Sequence, residues 1–135
     1  MAKSKIKVVD FGIAGLVTNT SADQNTAATL KYMTPEMIND RNSVAAPPMD
    51  VWAIGIMTYC MLFYRYPFRG ETRDQTKQLI TSSEYEIPKS VIVTPDVMEF
   101  LGGCLHKDPM KRMTIKQLLE LPWMRKSEEQ IDQMI

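Results

Sequence analysis

Few side chains in this sequence are placed where they could do chemistry, and the first of them is a carboxylate near the start. Asp10 follows the short β-branched segment Lys5–Val9, which predicts a strand, and it precedes Phe11 and Gly12. An aspartate offers hard oxygen atoms of the kind that bind Mg²⁺. Taken alone, the triplet predicts only a strand that ends in a turn with an exposed carboxylate.

The other reactive side chains give weaker signals. His106 is the single histidine, and it lies where a predicted helix ends, so we assign it no catalytic role. Cys60 and Cys104 are far apart within apolar patterns. This placement is typical of free buried thiols in a reducing compartment and not of a disulfide or a metal site.

Composition argues against several classes of partner. The 135 residues include sixteen basic and sixteen acidic residues, so nothing suggests nucleic acid or an anionic membrane as a partner. No signal-peptide pattern is present, and the uncharged run Val51–Tyr64 is shorter than the roughly 20 apolar residues that cross a bilayer. We therefore expect an intracellular, cytoplasmic protein without a membrane partner, folded as one unit.

The stretch Asp50–Tyr64 must lie at the centre of that unit. Its apolar residues do not keep to one stripe, which predicts a helix buried on all sides. Pro47 and Pro48 stand where a helix can begin, because an early proline loses no intrahelical hydrogen bond.

The remaining elements are predicted to pack around this central helix. Ile13–Val17 is a second candidate strand, and the polar run Thr18–Thr29 has no period and predicts a loop. Four further helices are predicted from caps and apolar spacing, namely Thr34–Ile38, Thr72–Ser82, one that begins at Thr94-Pro95, and Thr114–Leu121. The prediction is a mainly α fold, with a polar tail at residues 125–135.

Six motifs now stand in a fixed order along the chain. They are Asp10-Phe11-Gly12, Ala28–Glu36, Asp50-Val51-Trp52 with Gly55, Tyr66-Pro67-Phe68, Lys107-Asp108-Pro109 with Arg112, and Pro122-Trp123-Met124. Their order and spacing resemble the C-terminal lobe of a eukaryotic-type serine/threonine protein kinase. The run from Asp50 to Phe68 looks most like the calcium/calmodulin-dependent or AMP-activated branch. The resemblance implies a partial kinase domain over residues 1–124, belonging to an α+β fold when complete.

The resemblance implies ATP and Mg²⁺ as cofactors and a protein as substrate. Asp10 would be the magnesium ligand, Phe11 would pack against the other lobe, and Gly12 would let the backbone turn. Thr29 and Tyr32 would belong to the loop that receives the residue after the phosphorylated one, and they fit the serine/threonine class.

The loop before this segment would be the activation loop. Its usual phosphate-accepting position falls near Asn25, which cannot accept phosphate, so Thr26 is the first candidate for phosphorylation. A loop without regulation remains an open alternative.

Three further residues have structural roles by the same resemblance. Glu36 and Arg112 would form a buried ion pair, the alternative being two surface charges. Asp50 would cap the central helix and hold the backbone of the catalytic loop, although a carboxylate is also favoured at any helix N-terminus.

Much of a kinase is not found in this sequence. It contains no glycine-rich phosphate loop, no lysine–glutamate pair, no catalytic-loop aspartate and no second metal-binding asparagine. We therefore expect no phosphoryl transfer from these residues alone, and exposed apolar surface on the central helix. Two alternatives follow: the C-terminal part of a kinase, or a free-standing, non-catalytic kinase-like protein that binds partners. In either, the helix at residues 72–82 is a candidate docking element.

Overall fold

The computed structural model describes residues 30–126. The predicted strands Lys5–Val9 and Ile13–Val17, the loop Thr18–Thr29 and the segment after residue 126 lie outside the described residues. Within them, all regular secondary structure is helical, which confirms the mainly α fold. The helices are α1 (Pro35–Asn39), α2 (Pro47–Phe63), α3 (Arg73–Ser82), α4 (Pro95–Cys104) and α5 (Ile115–Glu120), followed by a helical turn at 122–126.

Side-chain caps fix the starts of three of these helices. The Thr34 hydroxyl accepts a hydrogen bond from the backbone N–H of Met37 at 3.2 Å at the start of α1. Helices α3 and α5 each begin with a reciprocal capping box, formed by Thr72 with Gln75 and by Thr114 with Gln117. Each cap satisfies backbone donors that a helix end otherwise leaves without a partner.

The long helix α2 is the centre of the core. Trp52 and Ile56 are fully buried, and the Trp52 ring stacks on Phe68 with 5.6 Å between ring centroids. Gly55 lets α4 approach closely, since a Cβ atom at this position would lie 2.6 Å from the Cβ atom of Cys104. Both cysteines are free thiols, as predicted, but only Cys104 is buried, whereas Cys60 is half-buried. Burial raises the pKa of Cys104 to about 12.

One face of α2 is not covered, so the prediction that this helix is buried on all sides is wrong in part. Met57 is 47% exposed and Met61 is 66% exposed, and both lie on the same side of the helix as Asp50. This apolar face agrees with the expectation of exposed apolar surface on the central helix. Within residues 30–126 no helix is both long and apolar enough to cross a bilayer.

Helix α2 ends in a sharp change of direction. Tyr64 has a positive φ of 56°, a left-handed conformation that ends the helix, and its N–H donates to the Cys60 carbonyl at 2.8 Å. The chain then turns back through Tyr66 and Pro67 towards the start of α3. This turn brings Tyr66 beside the segment that precedes α1.

Candidate functional site

The segment that precedes α1 is held by alternate buried side chains. Leu30 and Met33 are 3% and 4% exposed, and the N–H of Met33 donates to the Leu30 carbonyl at 3.1 Å. Between them, Lys31 is half-buried and Tyr32 is 38% exposed. The buried anchors therefore hold the half-buried Lys31 and the exposed Tyr32 at the surface; we call residues 30–33 the Tyr32 loop.

Tyr66 contacts both Lys31 and Tyr32 of the Tyr32 loop. The Lys31 ammonium lies 4.3 Å from the centroid of the Tyr66 ring, and the Tyr32 ring meets the same ring edge-on at 6.0 Å and 87°. An edge-on aromatic pair contributes about 0.5–1.5 kcal/mol beyond burial, and an exposed cation over a ring about 0.5–1 kcal/mol. Partial burial and the neighbouring Tyr66 phenol raise the pKa of Tyr32.

Glu36 and Arg112 are brought together across the molecule. Arg112 Nη1 donates to Glu36 Oε1 at 2.6 Å, and Nη2 donates to Oε2 at 2.7 Å, which is a bidentate pair. Arg112 also donates from Nε to the His106 carbonyl at 2.7 Å and from Nη1 to the Pro48 carbonyl at 3.1 Å. The Arg112 side chain is 0% exposed and that of Glu36 is 20% exposed, so this pair ties α1 to α2 and to the segment after α4.

Asp50 is not the cap of the central helix, and that prediction is corrected. The N-cap is Ala46, which makes no side-chain hydrogen bond, and Asp50 is an exposed residue in the first turn. The reason is that Pro47 and Pro48 open the helix, and two prolines have no N–H groups for a cap to satisfy. A carboxylate in the first turn still interacts favourably with the helix dipole. Its bond to a catalytic loop stays a prediction.

Lys107 fixes the C-terminal end of helix α3. Its Nζ donates to the Ile80 carbonyl at 2.6 Å and to the Leu79 carbonyl at 3.2 Å, and it lies 3.9 Å from the centroid of the Phe68 ring. Burial lowers the pKa of Lys107 to about 8, an effect that Glu84 opposes.

Sequence reasoning missed the roles of Tyr66 and Lys107, because their partners are distant in the chain. Lys107 lies 27 residues from Ile80 in the sequence, and no local sequence pattern predicts such a contact. The signal available in the sequence was the residue type: Tyr66 is an aromatic residue just after the end of α2, and Lys107 is a lysine just after the end of α4.

Five of the residues singled out from the sequence lie outside the described residues. They are Asp10, Phe11, Gly12, Thr26 and Thr29. Their roles in metal binding, regulation and substrate binding therefore stay predictions. Of the substrate-loop pair, the structure places Tyr32, at the surface and against Tyr66.

Comparison with known proteins identifies the family of the chain. The family described as protein kinase domain matches residues 1–124. The chain is 34% identical over 131 residues to the dual specificity protein kinase Ttk of Danio rerio, covering 89% of this chain and 13% of that protein. It is 30% identical over 135 residues to the serine/threonine-protein kinase RAD53 of Saccharomyces cerevisiae, covering 90% of this chain and 16% of that protein.

A third relative matches this chain with a comparable identity and coverage. The SNF1-like protein kinase ssp2 of Schizosaccharomyces pombe is 30% identical over 118 residues, covering 87% of this chain and 20% of that protein. The chain thus spans a fifth or less of the length of each of these three relatives.

Proposed function

Because the chain belongs to the protein kinase domain family, we propose that it is the C-terminal part of a serine/threonine protein kinase catalytic domain. The reaction would transfer the terminal phosphoryl group of ATP to a hydroxyl group of a protein. The observation that carries the proposal is the family match over residues 1–124, in which the bidentate pair of Glu36 and Arg112 joins the two ends of the described residues. The tail at 125–135 would lie outside the catalytic domain.

ATP and Mg²⁺ are the cofactors that protein kinases use. In this chain we assign Asp10 as a magnesium ligand, with Phe11 and Gly12 completing its motif. Bound Mg²⁺ would neutralise the charge of the phosphates. Thr26 is the proposed site of activating phosphorylation in the loop before residue 30.

The substrate side of the site is better supported by the described residues. Tyr32 is exposed on the Tyr32 loop, three residues after Thr29 in the sequence, and we assign both to contact with the protein substrate. Helix α3 has an exposed polar side and only two buried residues, Thr76 and Ile80. It is therefore the proposed docking helix for a substrate or a regulator.

The subfamily is proposed on the relatives. RAD53 and the SNF1-like kinase ssp2 are consistent with the calcium/calmodulin-dependent and AMP-activated branch. A cytoplasmic location is a separate proposal, made on the protein kinase domain match.

The experiment that tests the proposal is a phosphorylation assay on the natural gene product. A tag placed after Ile135 in the native gene captures every product that contains this chain, whatever its length. The captured protein is incubated with labelled ATP, Mg²⁺ and a protein substrate, beside an Asp10→Ala variant and an Asp40→Ala control, whose carboxylate bonds only its own turn.

We expect the natural product and Asp40→Ala to incorporate label and Asp10→Ala to incorporate none. Equal incorporation by Asp10→Ala would refute the assignment of the metal ligand. The alternative function is a non-catalytic binding protein that would engage partners through the exposed polar side of α3. A stable captured product near 15.4 kDa that binds protein but transfers no phosphate would establish that alternative.

A further inference from the structure

An apolar groove lies where the end of α2 meets the segment before α4. It has a volume of about 140 Å³ and is lined by Leu62, Phe63, residues 91–94 and Val97; we call it the Val97 groove. All of its lining residues except Thr94 are apolar. Because an apolar cavity of about 150 Å³ can hold a benzene-sized group, the groove has room for one apolar side chain.

The rim of the groove is exposed, whereas its floor is packed. Ile92 is 99% exposed and Val91 is 40% exposed, and a turn holds them there, since the N–H of Val91 donates to the Pro88 carbonyl at 3.1 Å. Phe63 and Val97 are 8% and 9% exposed and belong to one packed cluster. An exposed apolar rim beside a buried apolar floor is a surface that another apolar group can cover.

The described part of the chain ends beside this groove. Lys126 Nζ donates to Asp96 Oδ2 at 2.9 Å. Asp96 lies in the first turn of α4, between Thr94 and Val97 of the groove lining. The sequence that follows Lys126 therefore starts next to the turn of α4 that forms one wall of the groove.

The sequence of residues 127–135 matches an apolar groove at that place. Its only apolar residues are Ile131, Met134 and Ile135, and this spacing puts all three on one face of a helix. Even fully extended, residues 127–131 span roughly 17 Å, so Ile131 stays close to the first turn of α4. A segment tethered by so short a link has an effective concentration in the millimolar range, which favours it over a separate molecule as the occupant.

We propose that residues 131–135 dock in the Val97 groove of the same chain, with the side chain of Ile131 covering Ile92. The driving force is the removal of apolar surface from water on both sides of the contact. This inference goes beyond the proposed function and does not depend on it, because it concerns how the tail packs on α2 and α4 and not the transfer of phosphate.

The first test locates Ile131 by photochemical cross-linking within the purified chain of 135 residues. Ile131 is replaced by the photoreactive residue p-benzoylphenylalanine, and the irradiated protein is digested and mapped by mass spectrometry. We expect cross-links within one chain to residues 91–97. The matched control carries the same probe in place of Gln133, which lies off the apolar face, and its cross-links should not concentrate in the groove.

The second test measures the energetic coupling between the two surfaces by urea unfolding. Ile92→Asp and Ile131→Asp should each lower the ratio of folded to unfolded protein, and the double variant should lower it no further than one of them does. The coupling should amount to a factor of roughly two to ten. Val44→Asp is the matched control, since Val44 is 70% exposed outside the groove, and its effect should simply add to that of Ile131→Asp.

Four results would overturn the proposal. One is the absence of cross-links from the Ile131 probe, and another is a set of cross-links no richer in residues 91–97 than those of the Gln133 probe. Cross-links only between two chains would make a second copy the occupant. Independent effects of Ile92→Asp and Ile131→Asp would show that the two side chains do not meet.

Neither test contains ATP, so their outcome is separate from that of the phosphorylation assay. Phosphate transfer by a protein whose tail does not cross-link to the groove refutes this inference alone. A docked tail on a protein that transfers no phosphate refutes the proposed function alone.

Discussion

Arg112→Ala is the substitution whose effect follows most directly from the structure. The guanidinium is fully buried and makes two bonds to Glu36 at 2.6 and 2.7 Å. It also satisfies the His106 and Pro48 carbonyls and lies 4.9 Å from the centroid of the Trp52 ring. Alanine removes all of these contacts and leaves a largely buried carboxylate without its partner.

The size of the loss can be estimated. Breaking a buried ion pair by removing one partner costs about 3–5 kcal/mol, and domains of this size are stable by only about 5–15 kcal/mol. At a factor of ten for each 1.4 kcal/mol, the ratio of folded to unfolded Arg112→Ala falls by roughly a hundred-fold to several thousand-fold. Urea unfolding followed by circular dichroism measures this loss.

Companion variants show whether the bidentate geometry is the cause. Arg112→Lys keeps the positive charge but cannot form the two parallel N–H bonds to Glu36. It should therefore be more stable than Arg112→Ala and less stable than the parent. The double variant Glu36→Leu with Arg112→Met should be more stable than Arg112→Ala, because no charge is left buried alone. Lys126→Ala, which removes an exposed pair with Asp96, should melt as the parent does. An unfolding curve of Arg112→Ala that overlays the parent curve would refute the reasoning.

Two further predictions concern the packing around α2 and α3. Since the pKa of Lys107 is lowered to about 8 in the folded chain and an unfolded lysine titrates near 10.4, the unfolded state binds more protons between these values, so the free energy of unfolding should rise with pH there. The size of this rise is limited because the amine is half exposed. Lys107→Met should lack the rise when urea unfolding is repeated across this pH range. Parallel plots of unfolding free energy against pH for the parent and Lys107→Met would contradict the prediction. Gly55→Ala should cost about 1–3 kcal/mol by overpacking against Cys104. Gly102→Ala, whose Cβ atom would meet nothing closer than 4.0 Å, should not lower the melting temperature; equal effects of the two would contradict the packing argument.

The helix starts could be predicted from the sequence because their causes are local. Thr34, Thr72 and Thr114 cap through backbone groups three residues away, and that spacing is visible in the chain. The same locality explains the error at Asp50. Its carboxylate fits a cap, but the prolines before it already begin the helix.

The site could be predicted only in part, because its contacts join distant segments. The pairing of Glu36 with Arg112 spans 76 residues, and it could be predicted only from the family resemblance that the order of motifs indicates. The contacts of Tyr66 with Lys31 and Tyr32 have no such pattern. They depend on the direction in which the chain leaves α2, which is set by the left-handed conformation of Tyr64.

The exposed face of α2 shows how an apolar pattern and a burial pattern can differ. The sequence is apolar around the whole helix, whereas residues 30–126 cover only the side that carries Trp52 and Ile56. Met57 and Met61 remain on the other side, where flexible thioethers can fit a range of apolar surfaces. Exposed methionines next to a fully buried tryptophan cannot be explained by packing within the described residues. An apolar side chain at such a position stabilises the fold only when other atoms cover it. The sequence is therefore apolar on a face of α2 that residues 30–126 leave exposed.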